Sequence, residues 1–310
     1  MSTTNRQDEY DVIIVGGSNA GLSAALVLGR ARRHVLVCDT GKPVNAPAHE
    51  AHGFFTRDGT PPAELLAIGR EQLRPYSTVA LRQIAVTGAA RDEHGGGFLV
   101  TLADGTTAHT RAILLATGAT AVFPSIEGLA ERWGVSVNSC PYCHGYEVRD
   151  EPLAAHGNGD MGFHYALMIA HWSHDFVFCT DGPAELTQEQ QRTLASRQIR
   201  VIEEKIIRLE GAGRDLEQIV FADGTRLPRR ALFFGPQWRQ HSDLAAQLGC
   251  EHTPDGSVQV DRQGLTSVPW LYAAGDMTHL QVQVLALAVA EGAVAGTALN
   301  NALIFGEVAR

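Results

Sequence analysis

The stretch Tyr10-Asp11-Val12-Ile13-Ile14-Val15-Gly16-Gly17-Ser18-Asn19-Ala20-Gly21 joins a short apolar run directly to a glycine-rich turn. Apolar residues then recur at Leu22, Ala25, Leu26 and Leu28, and a second apolar run, His34-Val35-Leu36-Val37-Cys38, ends on Asp39 and Thr40. Strand, glycine turn, helix and strand ending in an acid is the order of a dinucleotide-binding βαβ unit. The turn lets a pyrophosphate approach the backbone at a helix N-terminus, where free N–H groups and the helix dipole favour anions. Gly16, Ser18, Asn19, Ala20 and Gly21 are its candidate phosphate contacts. Asp39, about 20 residues on, stands where a ribose-binding carboxylate belongs, with Thr40 beside it. Ser18 occupies the place of the fingerprint's second glycine, a small residue where glycine is usual.

A second copy follows. Gly157-Asn158-Gly159-Asp160-Met161-Gly162 is a complete fingerprint, preceded by the weak strand Pro152-Leu153-Ala154-Ala155-His156 and followed by Asp175-Phe176-Val177-Phe178-Cys179-Thr180-Asp181. Two more apolar runs end in turns: residues 112–119, which carry Thr117 and Gly118, and Trp270-Leu271-Tyr272-Ala273-Ala274-Gly275-Asp276, read as passing into a long helix. The latter could set a carboxylate and a helix N-terminus beside a flavin's ribityl and phosphate groups. Residues 99–106 and 219–225 each read as a hairpin with an Asp-Gly turn, one per unit. The expected fold is α/β: two Rossmann-like three-layer (ββα) nucleotide-binding domains, the second inserted into the first. Residues 1–122 plus 240–310 form the expected first domain, and 123–239 the insert.

The sharpest chemical feature is Ser139-Cys140-Pro141-Tyr142-Cys143-His144-Gly145-Tyr146-Glu147. Cys140 and Cys143 can close a short disulfide, and a helix N-terminus would lower one thiol's pKa toward reactivity. Zinc would need further ligands; Cys179 and Cys250 are isolated, and His144 directly beside Cys143 is not zinc-finger spacing. Redox use is therefore preferred over metal binding or inert packing, and no metal is expected.

With these motifs in view, residues 10–305 resemble the low-molecular-weight thioredoxin reductase family of FAD enzymes. Cys140-Pro141-Tyr142-Cys143-His144-Gly145-Tyr146, Gly16-Gly17-Ser18 and His52-Gly53-Phe54-Phe55-Thr56-Arg57-Asp58-Gly59 look like its branch of gliotoxin-type and holomycin-type dithiol oxidases. The resemblance implies FAD in the discontinuous domain, with Asp39 on the adenosine ribose, Asp276 at the ribityl-phosphate region, and Asn45 and His52 on a loop beside the flavin. It further implies a homodimer, Cys143 facing the flavin, and Cys140 exchanging with substrate.

Three departures from the reductases bear on function. His144 stands where they carry an acid, and an imidazole can take a proton from an incoming thiol and return it. Cys179-Thr180-Asp181-Gly182 stands where they carry basic residues that clamp the 2′-phosphate of NADPH, so NADPH is disfavoured and NADH is left open. Gln283-Val284 replaces the Arg-Gln pair that the reductases place at the start of the last helix. The favoured function is oxidation of a small-molecule dithiol to a disulfide through Cys140, Cys143 and FAD, with O₂ as final acceptor. The alternatives are NAD(P)H-dependent reduction of a thioredoxin-like protein, and a flavin-binding redox sensor.

Composition narrows the setting. Lys and Arg number 25 against 34 Asp and Glu, a net charge of −9, which argues against nucleic-acid binding. The polar N-terminus lacks a signal-peptide core, and the apolar residues 282–305 are interrupted by Glu291 and read as a buried helix rather than a membrane span. With an odd count of 5 scattered cysteines, a disulfide framework is not expected, and a cytoplasmic protein is.

Overall fold

The computed structural model describes residues 9–308; the polar residues 1–8, read above for targeting signals, lie outside the described residues. In chain order the first part comprises β1 (Glu9–Val15), α1 (Asn19–Arg30), β2 (Val35–Cys38), α2 (Pro62–Leu73), β3 (Val79–Arg82), β4 (Val86–Arg91), β5 (Phe98–Leu102) and β6 (Thr107–Leu115). After β7 (Ala119–Val122) come β8 (Val137–Asn138), α3 (Pro141–His144), β9 (Leu153–His156), α4 (Gly159–Ile169), β10 (Phe176–Cys179), α5 (Gln188–Ser196), β11 (Arg200–Ile202), β12 (Ile206–Glu210), β13 (Gln218–Phe221), β14 (Arg226–Pro228) and β15 (Ala231–Phe234). The chain returns through β16 (Gln237–Gln240) to α6 (Leu244–Gln247), β17 (Leu271–Ala273) and α7 (Leu285–Val308).

These elements form two compact units. One takes the chain up to Val44, Ala63–Thr120 and the chain from Trp238; the other takes Asn45–Pro62 and Ala121–Gln237. Asn45–Pro62 thus groups with the inserted segment, although its neighbours in sequence belong to the first unit.

In the first unit β3, β2, β1, β6 and β17 run parallel in that order, while β4 and β5 extend the N-terminal half of β6 as an antiparallel meander. Alternation along β1 explains the three layers. Val12 and Ile14 pack with Leu28 of α1 and Leu299 of α7, whereas Ile13 and Val15 face Phe98, Val100 and Leu271. Each large apolar side chain withdrawn from water in this way contributes about 1.5–3 kcal/mol.

The second unit repeats the plan. Strands β11, β10, β9, β15 and β8 are all parallel, and β12, β13 and β14 form its meander. The alanines that weaken β9 as a sequence signal are instead central, with Ala154 and Ala155 fully buried beneath two different clusters. The two Asp-Gly turns are copies in detail. Asp104 accepts from the Thr106 N–H and hydroxyl at 3.0 and 2.6 Å, and Asp223 accepts from the same groups of Thr225, both at 2.8 Å.

Two expectations need correction at the C-terminal end. Gly275-Asp276 does not open the long helix: a single 3₁₀ turn, Asp276–Thr278, intervenes, and Gln283 and Val284 precede α7 rather than begin it. The turn is fixed from behind, because Glu291 of α7 accepts the Gly275 N–H at 2.8 Å. Nor is the apolar helix buried all round. Leu285–Gly306 is long and apolar enough to cross a membrane, yet only 39% of its apolar 18-residue stretch is buried. Its packed side closes on α1 through glycine: a Cβ on Gly292 would lie 2.1 Å from the Ala20 carbonyl oxygen, and one on Gly296 would lie 3.0 Å from that of Ala24. Val294, Ile304 and Phe305 lie on its exposed side.

Because no rotamer relieves a clash made by Cβ itself, Gly292→Leu should separate α7 from α1 and cost about 3 kcal/mol or more. Chemical denaturation of the variant against wild type measures this. Unchanged stability would mean that the close approach of the two helices does not matter.

Candidate active site

The cysteine pair sits where β8 ends. Ser139 is anchored by the half-buried Tyr165 of α4, whose hydroxyl donates to the Ser139 carbonyl at 2.6 Å, and desolvation pushes that phenol's pKa up. Cys140 is the extended residue before α3, and Pro141 takes the first helical position, where a missing N–H costs nothing. One turn brings the Cα atoms of Cys140 and Cys143 to 5.2 Å, and the two form a disulfide. Gly145 ends the turn because a Cβ there would lie 2.9 Å from the Trp172 ring and 2.5 Å from the Pro141 carbonyl oxygen. Tyr142 meets the same ring edge-on at 5.4 Å. Tyr165 and Trp172 were not marked by the sequence motifs; both sit among apolar residues of helical spacing that read simply as core.

His144 closes the short helix and is not a surface residue. Both ring nitrogens are buried, and neither has a well-formed hydrogen bond. Burial holds its pKa below the ordinary histidine value, opposed by the Cys140 carbonyl and the Glu147 carboxylate and aided by the charge of His52. At neutral pH the ring is therefore a neutral base with an unused lone pair, immediately beside Cys143.

His52 belongs to the same unit as the disulfide. Its Nε2 lies 3.4 Å from Glu147 and 3.3 Å from Glu50, and its Nδ1 lies 3.6 Å from Asp58. Asn45, on the approach to this loop, accepts the Ala48 N–H. Cys38, Cys179 and Cys250 are buried and unpaired with one another; burial pushes Cys38 up to about 11 and Cys179 up to about 12.

In the first unit the fingerprint forms a cradle. Gly16 has φ +109°, and a Cβ on it would meet the Ala116 carbonyl oxygen at 2.1 Å; a Cβ on Gly21 would meet the Gly16 carbonyl oxygen at 1.9 Å. Ser18 precedes α1 in extended conformation with no side-chain cap, leaving the first-turn N–H groups of Asn19, Ala20 and Gly21 for an anion. Asp39 packs against Gly17 and is paired with Arg70 at 3.2 Å, a partner on α2 that no motif identified. Thr40 is exposed beside it, Gly118 turns the chain at φ +71°, and the Thr117 hydroxyl meets the Met277 sulfur at 3.6 Å. Asp276 is pushed up to about 6, first by burial and then by the charge of Glu291. Gln283 turns its side-chain amide back onto the Leu280 carbonyl, and Val284 is exposed. Glycine backbone shaped for close approach and uncapped helix donors fit the pyrophosphate of a dinucleotide.

The second fingerprint differs. The Asn158 side-chain oxygen accepts the Gly159 and Glu185 N–H groups at 2.8 and 2.9 Å, and its amide donates to the Thr180 and Pro183 carbonyls. Asp160 stands in the first turn of α4, and Asp181, at φ +56°, accepts the Ile206 N–H at 2.7 Å and faces His156 at 3.8 Å. One first-turn donor, the Gly159 N–H, is thus occupied by the Asn158 side chain, and the groups around the turn include the acids Asp160 and Asp181.

A dithiol–disulfide pair built into tandem Rossmann-like units defines a nucleotide-dependent disulfide oxidoreductase. Residues 10–292 match the model of the pyridine nucleotide-disulphide oxidoreductase family, and the chain belongs to that family, as a thioredoxin reductase-like member. Thioredoxin reductase tcpT of Claviceps purpurea is 30% identical, over 98% of this chain and 96% of its own. Among solved structures, HlmI is similar with a TM-score of 0.92 at 36% identity, covering 99% of this chain and 96% of that one. A putative thioredoxin reductase TrxB from Bacillus anthracis is similar with a TM-score of 0.92 at 33% identity, covering 96% and 99%. The family is FAD-binding, in keeping with the first cradle.

Asp276 carries a linked pH dependence. Its carboxyl is held protonated in the fold to higher pH than in the unfolded chain, so its contribution is intact below about pH 4 and is lost as pH rises through about 6. Ionisation then costs up to about 3 kcal/mol. In flavin-free protein, Asp276→Asn should raise the melting temperature by several degrees at pH 8 and hardly change it at pH 4, while weakening FAD retention. A melting temperature displaced equally at both pH values would contradict this.

Proposed function

We propose that this protein is an FAD-dependent dithiol oxidase that converts a small-molecule dithiol to its disulfide, with O₂ as final acceptor. The observation that supports this direction of electron flow is the second fingerprint, where Asn158 caps the Gly159 N–H and Asp160 and Asp181 oppose a phosphate. Like charges about 4 Å apart cost roughly 1 kcal/mol even in bulk water. Each missing hydrogen bond to a charged group forfeits about 1.5–3 kcal/mol more. Together these amount to several factors of ten in NADPH affinity. Reduction of a thioredoxin-like protein by NADPH would need that turn to receive a phosphate.

The chain's own groups account for the thiol chemistry. Neutral His144 accepts the proton of an incoming thiol, and the resulting thiolate attacks Cys140 Sγ, breaking its bond to Cys143. Cys143 leaves as a thiolate. The substrate's second thiol then attacks its own first sulfur, closing the product and releasing Cys140. Bound FAD would supply the two-electron sink for the reduced pair. Gly16, Gly21, Asp39, Gly118, Gly275 and Asp276 would hold it, and a homodimer of such chains is part of this reading.

Anaerobic mixing of the purified protein with a small dithiol should bleach the flavin absorbance at least about a hundredfold faster than equal NADPH, and aerobic turnover should consume O₂. Cys143→Ser should trap the thiol as a mixed disulfide on Cys140. Rapid bleaching by NADPH without oxygen uptake on adding dithiol would replace the oxidase by the reductase. Trapping in Cys140→Ser instead would exchange the roles of the two sulfurs.

A further inference from the structure

Glu291 is the only charged residue in Leu285–Gly306, and its side chain is 20% exposed. A carboxylate set in such an apolar helix needs polar partners in place of the water it has lost. One short turn supplies them. Oε2 of Glu291 accepts the Gly275 N–H at 2.8 Å and the Thr278 hydroxyl at 3.3 Å, while Oε1 lies 2.6 Å from Nε2 of His279. The segment from Gly275 to His279 is therefore wrapped around a single side chain of α7.

That segment borders the cradle of the first unit. Gly275, at φ +83°, approaches α1 so closely that a Cβ on it would stand 3.1 Å from the Ala20 Cβ. A Cβ on Gly292, the residue after Glu291, would stand 2.1 Å from the Ala20 carbonyl oxygen. Ala20 belongs to the uncapped first turn of α1, so the clasp and the cradle share one wall. Asp276 follows Gly275 directly, and both burial and the charge of Glu291 disfavour its ionisation. A neutral acceptor on α7 would avoid that repulsion. A carboxylate accepts more strongly than a neutral side chain, so Glu291 fixes the turn more firmly although it opposes Asp276. His279 engages the other oxygen, and the carboxylate cannot rotate without losing partners at both ends.

We propose that His279 and Glu291 are positioning residues for FAD, holding the Gly275–Thr278 turn against α1 so that Asp276 meets the ribityl chain while the pyrophosphate occupies the cradle. Neither residue needs to touch the cofactor. This rests on the placement of FAD in the first unit given above and is independent of the direction of electron flow.

The test is calorimetric titration of flavin-free protein with FAD and, separately, with ADP, which has the adenosine and pyrophosphate but neither ribityl chain nor flavin. His279→Ala should weaken FAD binding about tenfold and Glu291→Ala about a hundredfold, as one and then several hydrogen bonds to a charged group are lost. ADP affinity should stay within about twofold of wild type, because the cradle itself is intact. His279→Gln, which keeps a donor of similar reach, should recover most of the FAD affinity. Once Glu291 is alanine, His279→Ala should weaken FAD no further, since the two act as one unit. Equal weakening of FAD and ADP would mean that the pair merely supports the fold, and would overturn the proposal. Unchanged FAD affinity in His279→Ala, or additive losses in the double variant, would overturn it too. Wild-type protein that binds no ADP would overturn the cradle assignment, and this proposal with it, whatever its thiol chemistry.

Discussion

Three backbone surfaces in the first unit meet with no side chain between them. Gly16 lies against Ala116, Gly21 against Gly16, and Gly292 against Ala20, each so close that a Cβ would stand within 2.1 Å of a carbonyl oxygen. Strand β1, helix α1, the end of β6 and helix α7 are thereby held at one separation. The glycines let the uncapped start of α1 sit tight on the sheet. Glu291 can reach back to the Gly275 N–H because α7 lies equally tight on α1. The packing of the core and the shape of the cradle are therefore one constraint, and the buried carboxyl of Asp276 is its electrostatic cost.

The two units carry the same motif with different helix starts. Both fingerprints make the close strand-to-helix approach that glycine permits: Gly21 on Gly16 in one, Gly162 on Gly157 in the other. They differ at the helix start. Ser18 makes no cap, whereas Asn158 caps Gly159 and ties down the segment that follows β10. A side-chain oxygen already bonded to the Gly159 N–H satisfies one first-turn donor from within the chain. The disulfide is placed by this second unit, on a turn held from below by Tyr165 and from the side by Trp172.

Periodicity and glycine spacing made β1, α1, β2, the Asp-Gly hairpins and the cysteine turn legible, because each is dictated by residues within a dozen positions of one another. What escaped notice was set at long range. Arg70 meets Asp39 only after a connection between β2 and α2 that carries no regular pattern. Asn45–Pro62 groups with the insert through partners far along the chain, such as Glu147 for His52. The late start of α7 was hidden because Val282 and Val284 continue the apolar pattern and no glycine or proline between Asp276 and Leu285 marks the boundary. Glu291, the one charge in that apolar run, was visible as an anomaly, but its bond to Gly275 follows only from the turn between them.

The sheets of the two units share an order but draw their outermost strand from opposite ends of the chain. In the insert β8 comes first and takes the place beside β15; in the first unit β17 comes last and pairs with β6, across the whole inserted segment. During synthesis every strand of the insert has therefore left the ribosome before the strand and helix that complete the first unit exist. Since domains fold as units while the chain emerges, the half that carries the two cysteines can mature early, and the glycine cradle can close only at the end. The polypeptide order thus imposes a schedule: the cysteine turn is assembled before the glycine cradle of the first unit is complete.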